Sequence, residues 1–580
     1  MHYTRQKEHH LINTDRGGTP CTFLERIHVV NFCVAMVDVT TENFEKLLPE
    51  ILADLKSAVF VAVDAEFTGL SSGNSYDNSI FDDGNERYAK QRENLDRITI
   101  CQLGLAAYKG IPDTNGYTVI TYNFYLRPHS CGSIDPIFVC QTSGIEFLRK
   151  YQFDFNKWLY DGVPFMNRDE ADRLSQELQS IVEGKENLQL SDELRDRVRA
   201  IGEWANTAQD NDTSTVSVPL SGTSKLLLVI AVRNLLMDVW ARIDNGKVVV
   251  QKVSETEKKK LDAVDSEKQE LVSALLEKFE GFSIVFKYLA ELQKPLVLHN
   301  CFLDLMLIYK QFHRNLPPSY KTFKTDLHQM FPLIYDTKFV ASELRYEYKD
   351  CDRKVYNIFN DTGLGSLAAS LGNELPVLYR PSHTHLPKLS KYLQNGASAR
   401  LHEAGYDAYL TGFCFISMAH LHAMLQMPSR TQHRPLSPRE HLYAVKNLAN
   451  KIQMRQSRVK YINLAGHDPV SRRPPWLLVQ ARQGCWWSRL SPSLVSSSLS
   501  HFGSVDVRSH GRSSVLVATT SWKRTSDIKE GLANDRYLKA QVYNKFRHSA
   551  ALRTLGWSVG LVSSGLSAWL FYNTFKKALA

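Results

Sequence analysis

The 580-residue chain predicts a mixed α/β fold, and three features of the sequence carry that prediction. Short apolar runs of strand length recur early, at Val59-Phe60-Val61-Ala62-Val63, Ile98–Leu105 and Val119–Leu126. Longer amphipathic stretches of helical spacing fall between and after them, at Phe44–Leu55 and at about 266–292. Acidic residues are set into or just after the apolar runs, where burial alone would exclude them. A chain of this length holds two or three domains. Its hydrophobic content of 43% and charged content of 23% are those of a globular protein. The net charge of +9 is compatible with a polyanionic partner. Nine cysteines with no Cys-x-x-Cys pair speak for reduced thiols, and against a zinc site or a disulfide framework.

Residues 1–36 mix acids and bases and lack the apolar core of a signal peptide, and their acids argue against a mitochondrial presequence. They read as a disordered extension or as the product of an alternative start, with Met36 opening the domain. Thr and Asn before Phe44 are candidate caps for the first helix. The run at 59–63 then continues into Asp64-Ala-Glu66-Phe67-Thr-Gly-Leu70. Residues at i and i+2 of a strand share a face. Two carboxylates side by side on a strand otherwise made for burial call for a cation, and Mg²⁺ favours carboxylate oxygens. A strand end whose acids reach solvent explains one Asp-x-Glu equally well. Residues 71–93 are polar and read as a loop able to border a site. The runs at 98–105 and 119–126 suit an antiparallel sheet beside the first strand.

Matching acids recur downstream. The strand Pro295–Leu298 leads into His299-Asn300-Cys-Phe-Leu-Asp304, with Asp304 in the first turn of a helix. Leu401-His402-Glu-Ala-Gly-Tyr-Asp407 follows much later. Asp64, Glu66, Asp304 and Asp407 with His402 make the set a two-metal phosphodiesterase needs, its ions about 3.5–4 Å apart. A histidine titrates near neutrality, so His402 suits the general base that takes a proton from water.

This order of acids and histidine resembles the DEDDh 3′-5′ exonucleases. Gln141–Leu148, Phe153–Lys157, Gly162–Phe165, Asp336-Thr-Lys338 and Leu401–Ala419 narrow the likeness to the poly(A)-specific ribonuclease family, over roughly 37–430 and more faintly 431–535. The resemblance implies a ribonuclease H-like core that removes 3′-terminal nucleotides from single-stranded RNA with two Mg²⁺ ions, releasing nucleoside 5′-monophosphates. It further implies that Phe67, Leu70 and Lys338 hold the terminal nucleotides, although core packing accounts equally well for Phe67 and Leu70. Asp336 reads either as a further acid near the metals or as a turn residue.

The domain reading is a nuclease at 37–165 and 269–430, interrupted by an insert at 166–268. In the family that insert is an RNA-binding domain with an Arg-x-x-x-His signature. This chain has no histidine between His129 and His299, so the signature is absent. A basic, helical stretch spans 428–460, and 431–535 resembles an RRM. Its candidate strand at 511–517 carries no aromatic residue, which argues against ordinary sheet-face readout of RNA. Trp486 and Trp487 are candidate stacking residues, with loop packing as the alternative. After a basic linker at 536–553, residues 554–575 are uncharged, long enough for one membrane crossing and flanked by Arg553 and Lys576. They read as a tail anchor, on the mitochondrial outer membrane or alternatively the endoplasmic reticulum, with the nuclease facing the cytosol. Small residues every fourth position there, including Gly556 and Gly560, suggest self-association, a homodimer. The anchor favours the branch of the family that trims piRNA precursors, with a PIWI protein and a mitochondrial adaptor as implied partners. A deadenylase of poly(A), a silent RNA-binding scaffold and a DNA exonuclease are the alternatives.

Overall fold

The computed structural model describes residues 36–580 apart from 74–76, 184, 186–189, 217–221, 265–266, 375–376, 386–400, 427–433, 483–489, 549 and 579–580. The extension at 1–35 and the pair Trp486–Trp487 lie outside the described residues. The chain forms two compact units, one of residues before 77 with Tyr88–Gln453 and Tyr461–His467, the other of Asp77–Arg87, Met454–Lys460 and Asp468–Ala580.

The first unit is built on a seven-stranded mixed sheet. Its strands are β1 (Met36–Val39), β2 (Phe60–Phe67), β3 (Ile100–Gly110), β4 (Tyr117–Tyr125), β5 (Leu296–Leu298), β6 (Ile334–Asp336) and β7 (His383–His385). The order is β1-β4-β3-β2-β5-β6, with β7 also against β4. β2, β3 and β4 are antiparallel neighbours, whereas β5 and β6 run parallel to β2. The core strands are near-continuous apolar runs because both faces are covered. One cover is the helix Ala404–Gln426, buried along almost its whole length among Phe60, Ala62, Ala106 and Tyr108. Helix Phe44–Ser57 turns Leu47, Ile51 and Leu55 inward, and Asn43 accepts from the Thr40 N–H instead of capping the helix.

Several expectations are corrected. The amphipathic stretch at 266–292 is two helices, Glu267–Glu280 and Phe282–Leu292, divided at Gly281. Gly281 sits at φ +44, where a Cβ would lie 2.2 Å from the Pro164 carbonyl oxygen. That close approach lets Phe282 N–H bond to Pro164 and returns the chain from insert to nuclease. Residues 71–93 are not one loop: Gly84–Asn94 is helical, and 77–87 belong to the second unit. Among the described residues of the stretch at 428–460, helix covers only Pro438–Ala444 with a 3₁₀ turn after it: Pro438 opens that helix, and Lys451–Gln453 pairs with Tyr461–Asn463 as a hairpin.

Residues 166–281 leave and rejoin the nuclease through paired helices Arg168–Val182 and Glu267–Glu280, which bury Leu174, Leu178, Val272 and Leu275 against each other. Beyond them stands a three-stranded sheet, Thr213–Thr215, Lys247–Lys252 and Val239–Asp244, packed on helices Asp192–Thr207 and Gly222–Leu235. The second unit holds a four-stranded antiparallel sheet with two helices in βαββαβ order.

A buried chain of hydrogen bonds links Tyr117 Oη, His441, His420 and the Leu378 carbonyl at 2.8, 3.1 and 2.9 Å. Burial lowers both histidines, His441 to about 3, with His420 and His383 pushing the same way and Glu440 opposing. An unfolded chain takes up protons at these histidines below pH 6.5 that the fold refuses. Stability therefore falls as pH drops below about 6.5, with His441 contributing a slope that approaches about 1.4 kcal/mol per pH unit and His420 acting in the same direction. Thermal melts between pH 7.5 and 5 check this: Tm declines on acidification, and His441→Phe flattens the decline.

Candidate active site

The site is assembled at one edge of the sheet by backbone register. Asp64 pairs with Gly104 across β2–β3, and Glu66 with Gln102. Gly104 is the landing point of the helix that carries Asp407. A Cβ there would stand 2.0 Å from the Ala404 carbonyl oxygen and 2.5 Å from the Gly405 nitrogen, so only glycine lets the helix start approach β3 so closely. Two buried amides then fasten that helix start: Gln102 Oε1 accepts from Ala404 N–H at 2.9 Å, and Asn123 Oδ1 from Gly405 N–H at 3.1 Å. Asn123 Nδ2 donates to Glu403 and to Asp38. These contacts aim the first turn of the helix, with Asp407, back at β2.

The result is a cluster of three side chains from distant parts of the sequence. Ligand atoms of Glu66, His402 and Asp407 all lie within 4.8 Å of one another. His402 N–H donates to Asp407 Oδ2 at 3.2 Å, and its Nδ1 is 4.0 Å from the same oxygen. Its ring rests on Tyr151 at 4.0 Å and meets the edge of Phe147 at 4.9 Å. The residue sits at φ +69, in the left-handed region that residues other than glycine seldom adopt. Asp64 lies two residues before Glu66 on β2 and is half-buried like it.

Asp304 arrives from the other side. β5 is β2's parallel neighbour, and the turn after it leads into helix Phe302–Ile308 with Asp304 in its first turn. Burial first, and then the charges of Asp336 and Asp304, push the Cys301 thiol up. Asp336 is fully buried at the end of β6. Its Oδ1 accepts from Asn300, Lys338 and Phe339 N–H groups at 2.9, 3.0 and 3.4 Å, and its Oδ2 from Gln453 N–H at 2.9 Å. It is thus the tie that holds the left-handed turn at Asn300 (φ +58) in front of Asp304. Asp336→Ala leaves these four N–H groups, Phe339's fully buried, without this acceptor and costs about 3 kcal/mol of stability, read as a lower Tm, with kcat falling as the turn relaxes.

Phe67 ends β2 beside Glu66, and Leu70 N–H donates to Gln141 Oε1 at 2.9 Å in the loop that follows. Lys338 opens the helix after β6, two residues beyond Asp336. Phe67, Leu70 and Lys338 are half-buried, and none belongs to the acid–histidine cluster. Sequence reading did not single out Gln102, Gly104 or Asn123. Their only signals are a glycine and two amides inside otherwise apolar strands, where buried polar groups demand partners.

Residues 39–415 match the CAF1 family ribonuclease. The chain belongs to the CAF1 ribonuclease family. This CAF1 ribonuclease is 30% identical over 534 residues to the Mus musculus protein named poly(A)-specific ribonuclease PNLDC1, covering 90% of this chain and 96% of that one. It is 28% identical over 560 residues to the Bombyx mori pre-piRNA 3′-exonuclease trimmer, covering 94% and 100%. To the Xenopus laevis poly(A)-specific ribonuclease PARN it is 30% identical over 470 residues, covering 75% and 70%. Among solved structures, S. pombe Pop2p in its Mg²⁺- and Mn²⁺-bound form matches 68% of this chain and 93% of its own, at 15% identity and a TM-score of 0.31. The enzyme is a 3′-5′ exoribonuclease with the mixed α/β, ribonuclease H-like nuclease fold of its family, and nucleases of this kind depend on divalent metal. The carboxylates of Glu66 and Asp407 are hard oxygen donors that fit such an ion, and the His402 imidazole stands beside them.

Proposed function

We propose that the enzyme trims the 3′ ends of single-stranded RNA one nucleotide at a time, with piRNA precursors loaded on a PIWI protein as its substrate. The observation that supports the catalytic part is the convergence of Glu66, His402 and Asp407; Asp64 stands two residues before Glu66 on the same strand, and Asp304 in the first turn of the helix after the neighbouring strand, outside that cluster of three. The substrate part rests on similarity along nearly the whole length of the Bombyx mori trimmer.

In this reading Asp64, Glu66, Asp304 and Asp407 hold two Mg²⁺ ions. When bound, they neutralise charge at the scissile phosphate and lower the pKa of water. His402 accepts the proton of the attacking water, its ring fixed by Tyr151 and Phe147 and its backbone by Asp407. The water oxygen bonds to phosphorus as the bond from phosphorus to the 3′ oxygen breaks; that oxygen takes up a proton as the 3′ hydroxyl of the shortened RNA, and a nucleoside 5′-monophosphate leaves. Phe67, Leu70 and Lys338, beside the acids on β2 and after β6, grip the last nucleotides. An RNA with a labelled 5′ end tests this: it shortens stepwise from its 3′ end with the parent protein. Stepwise trimming by Asp64→Ala at the parent rate defeats the assignment. A deadenylase of poly(A) is the second reading, favoured by similarity to the Xenopus laevis PARN. It requires strong preference for an oligo(A) end.

We further propose that helix Ala550–Ala578 anchors the enzyme to a membrane, in keeping with the mitochondrial surface. Among the described residues the helix apolar and long enough to cross a membrane is Ala404–Gln426, which is 94% buried and serves as core. Ala550–Ala578 falls short of that measure because Gly556, Gly560, Gly565 and four serines dilute its apolar residues. Yet Leu555, Trp557, Val559, Leu561, Trp569 and Phe571 on it are all more than half exposed, an apolar surface that water does not tolerate in isolation. The protein therefore stays with membranes through alkaline carbonate washing, and removal of 550–580 releases it; release of the full chain by carbonate contradicts the anchor.

A further inference from the structure

In the second unit, alternate residues of the sheet point to opposite faces. Leu477, Val479, Val515 and Val517 bury against the helices. Leu478, Leu516 and Ala518 face the other way, which is the face on which a sheet of this topology reads RNA bases. Here that face is closed, because Ile80 and Phe81 pack onto it. Asp506 pins the covering segment by accepting from Ser79 Oγ at 3.0 Å and from Ile80 N–H at 2.5 Å. Arg87 Nε, 3.2 Å from Asp82, braces it from within. The sheet therefore has no open surface for stacking bases along its middle.

At the margin of this cover lies a pocket of about 280 Å³. Trp476 precedes the first strand and Tyr543 follows the last, and Tyr543 N–H bonds to Trp476 at 2.8 Å. Their rings stack at 6.1 Å and 25°. The Arg458 guanidinium lies 5.2 Å from the Trp476 ring, extending the stack. Arg473 lines the same pocket, its Nε donating to the Ser457 carbonyl. Burial lowers the Arg473 pKa and the charge of Asp506 opposes that. Half-buried guanidinium groups favour an anion beside them. Aromatic and guanidinium planes side by side are surfaces on which a base stacks.

We infer that this pocket, built from Arg458, Arg473, Trp476 and Tyr543, takes one nucleotide of a single-stranded RNA, the base on the stack and the phosphate on the arginines. It rests on the reading of the substrate as RNA and adds a second hold on the strand, within the second unit and off the covered sheet face. Readout there is sequence-tolerant, because every base has a flat face to stack and none of the four side chains offers a carboxylate or amide to a base edge.

The test uses the full chain in detergent without divalent metal, so that RNA is bound and not cut. Affinity for a fluorescent mixed-sequence 20-mer is measured across salt concentrations for the parent, Trp476→Leu and Arg458→Gln, each matched to the parent by thermal melt. Trp476→Leu weakens binding about tenfold. Arg458→Gln reduces the slope of log affinity against log salt by about 0.7, the share of one phosphate contact, which a merely structural role would not move. With Mg²⁺ restored, both variants cut a tetranucleotide at the parent rate. Unchanged affinity and slope in both variants overturn the pocket. So does competition by micromolar adenosine 5′-monophosphate with RNA affinity unaffected by Trp476→Leu, which assigns the pocket to a free nucleotide. A parent chain that fails to cut the tetranucleotide overturns the exonuclease reading instead, independently of the binding result.

Discussion

Glu66→Gln and Asp407→Asn each lower kcat by on the order of a thousandfold or more, and each raises Tm in the presence of a chelator. The two effects share one cause. The ligand atoms of Glu66, His402 and Asp407 lie within 4.8 Å, so like charges are crowded together in the metal-free protein. An amide of the same size keeps the packing and removes one charge, which relieves that repulsion. Catalysis of phosphoryl transfer rests on positioning and charge neutralisation, so loss of one metal-holding carboxylate removes stabilisation confined to the transition state. Single-turnover cleavage with excess Mg²⁺, beside melts in chelator, reads both. A variant as slow as this and also less stable points to a collapsed fold. One that is stable and active shows that the cluster is not the catalytic centre.

Gly104→Ala has the second-largest effect, although the residue carries no functional group. Its Cβ would lie 2.0 Å from the Ala404 carbonyl oxygen and 2.5 Å from the next nitrogen, both backbone atoms that no rotamer change relieves. The start of the helix must therefore move away from β3. Gln102 and Asn123 lose their grip on Ala404 and Gly405, and Asp407 moves with them. A displacement of about 1 Å at a reacting centre costs roughly a hundredfold in rate. We expect that loss in kcat, with KM little changed if RNA is gripped mainly elsewhere, and a lower Tm. Gly202→Ala is the matched control: it lies within helix Asp192–Thr207, its Cβ meets only Leu236 at 3.4 Å, and activity stays at the parent level. Full activity in Gly104→Ala contradicts the view that this close approach sets the site.

The candidate catalytic residues are legible in the sequence because chemistry forces unusual residues into regular elements. An acid pair on a buried strand, an acid in the first turn of a helix and a His-x-x-x-x-Asp all stand out against apolar surroundings. What holds them is less visible. Asp336 looks in sequence like a further acid near the metals or a turn residue, and only tertiary structure shows four backbone N–H groups converging on it. The division at Gly281 is hidden because helical periodicity continues on both sides, and the carbonyl that demands glycine comes from Pro164, over a hundred residues away. The strand Met36–Val39 is too short to show a period and owes its form to β4. The placement of Ile80 and Phe81 in the second unit, within a stretch that reads as loop, is fixed by burial against Leu478 and Leu516 rather than by local sequence.

The measurement that bears most directly on the account compares three 5′-labelled RNAs with the purified protein and Mg²⁺. One ends in oligo(A), one is a free mixed sequence, and one is the same mixed sequence loaded on a PIWI protein. The account predicts efficient stepwise shortening of the loaded RNA, stopping at the length the PIWI protein shields, and none with Asp64→Ala. Shortening confined to the oligo(A) end contradicts it and makes the enzyme a deadenylase.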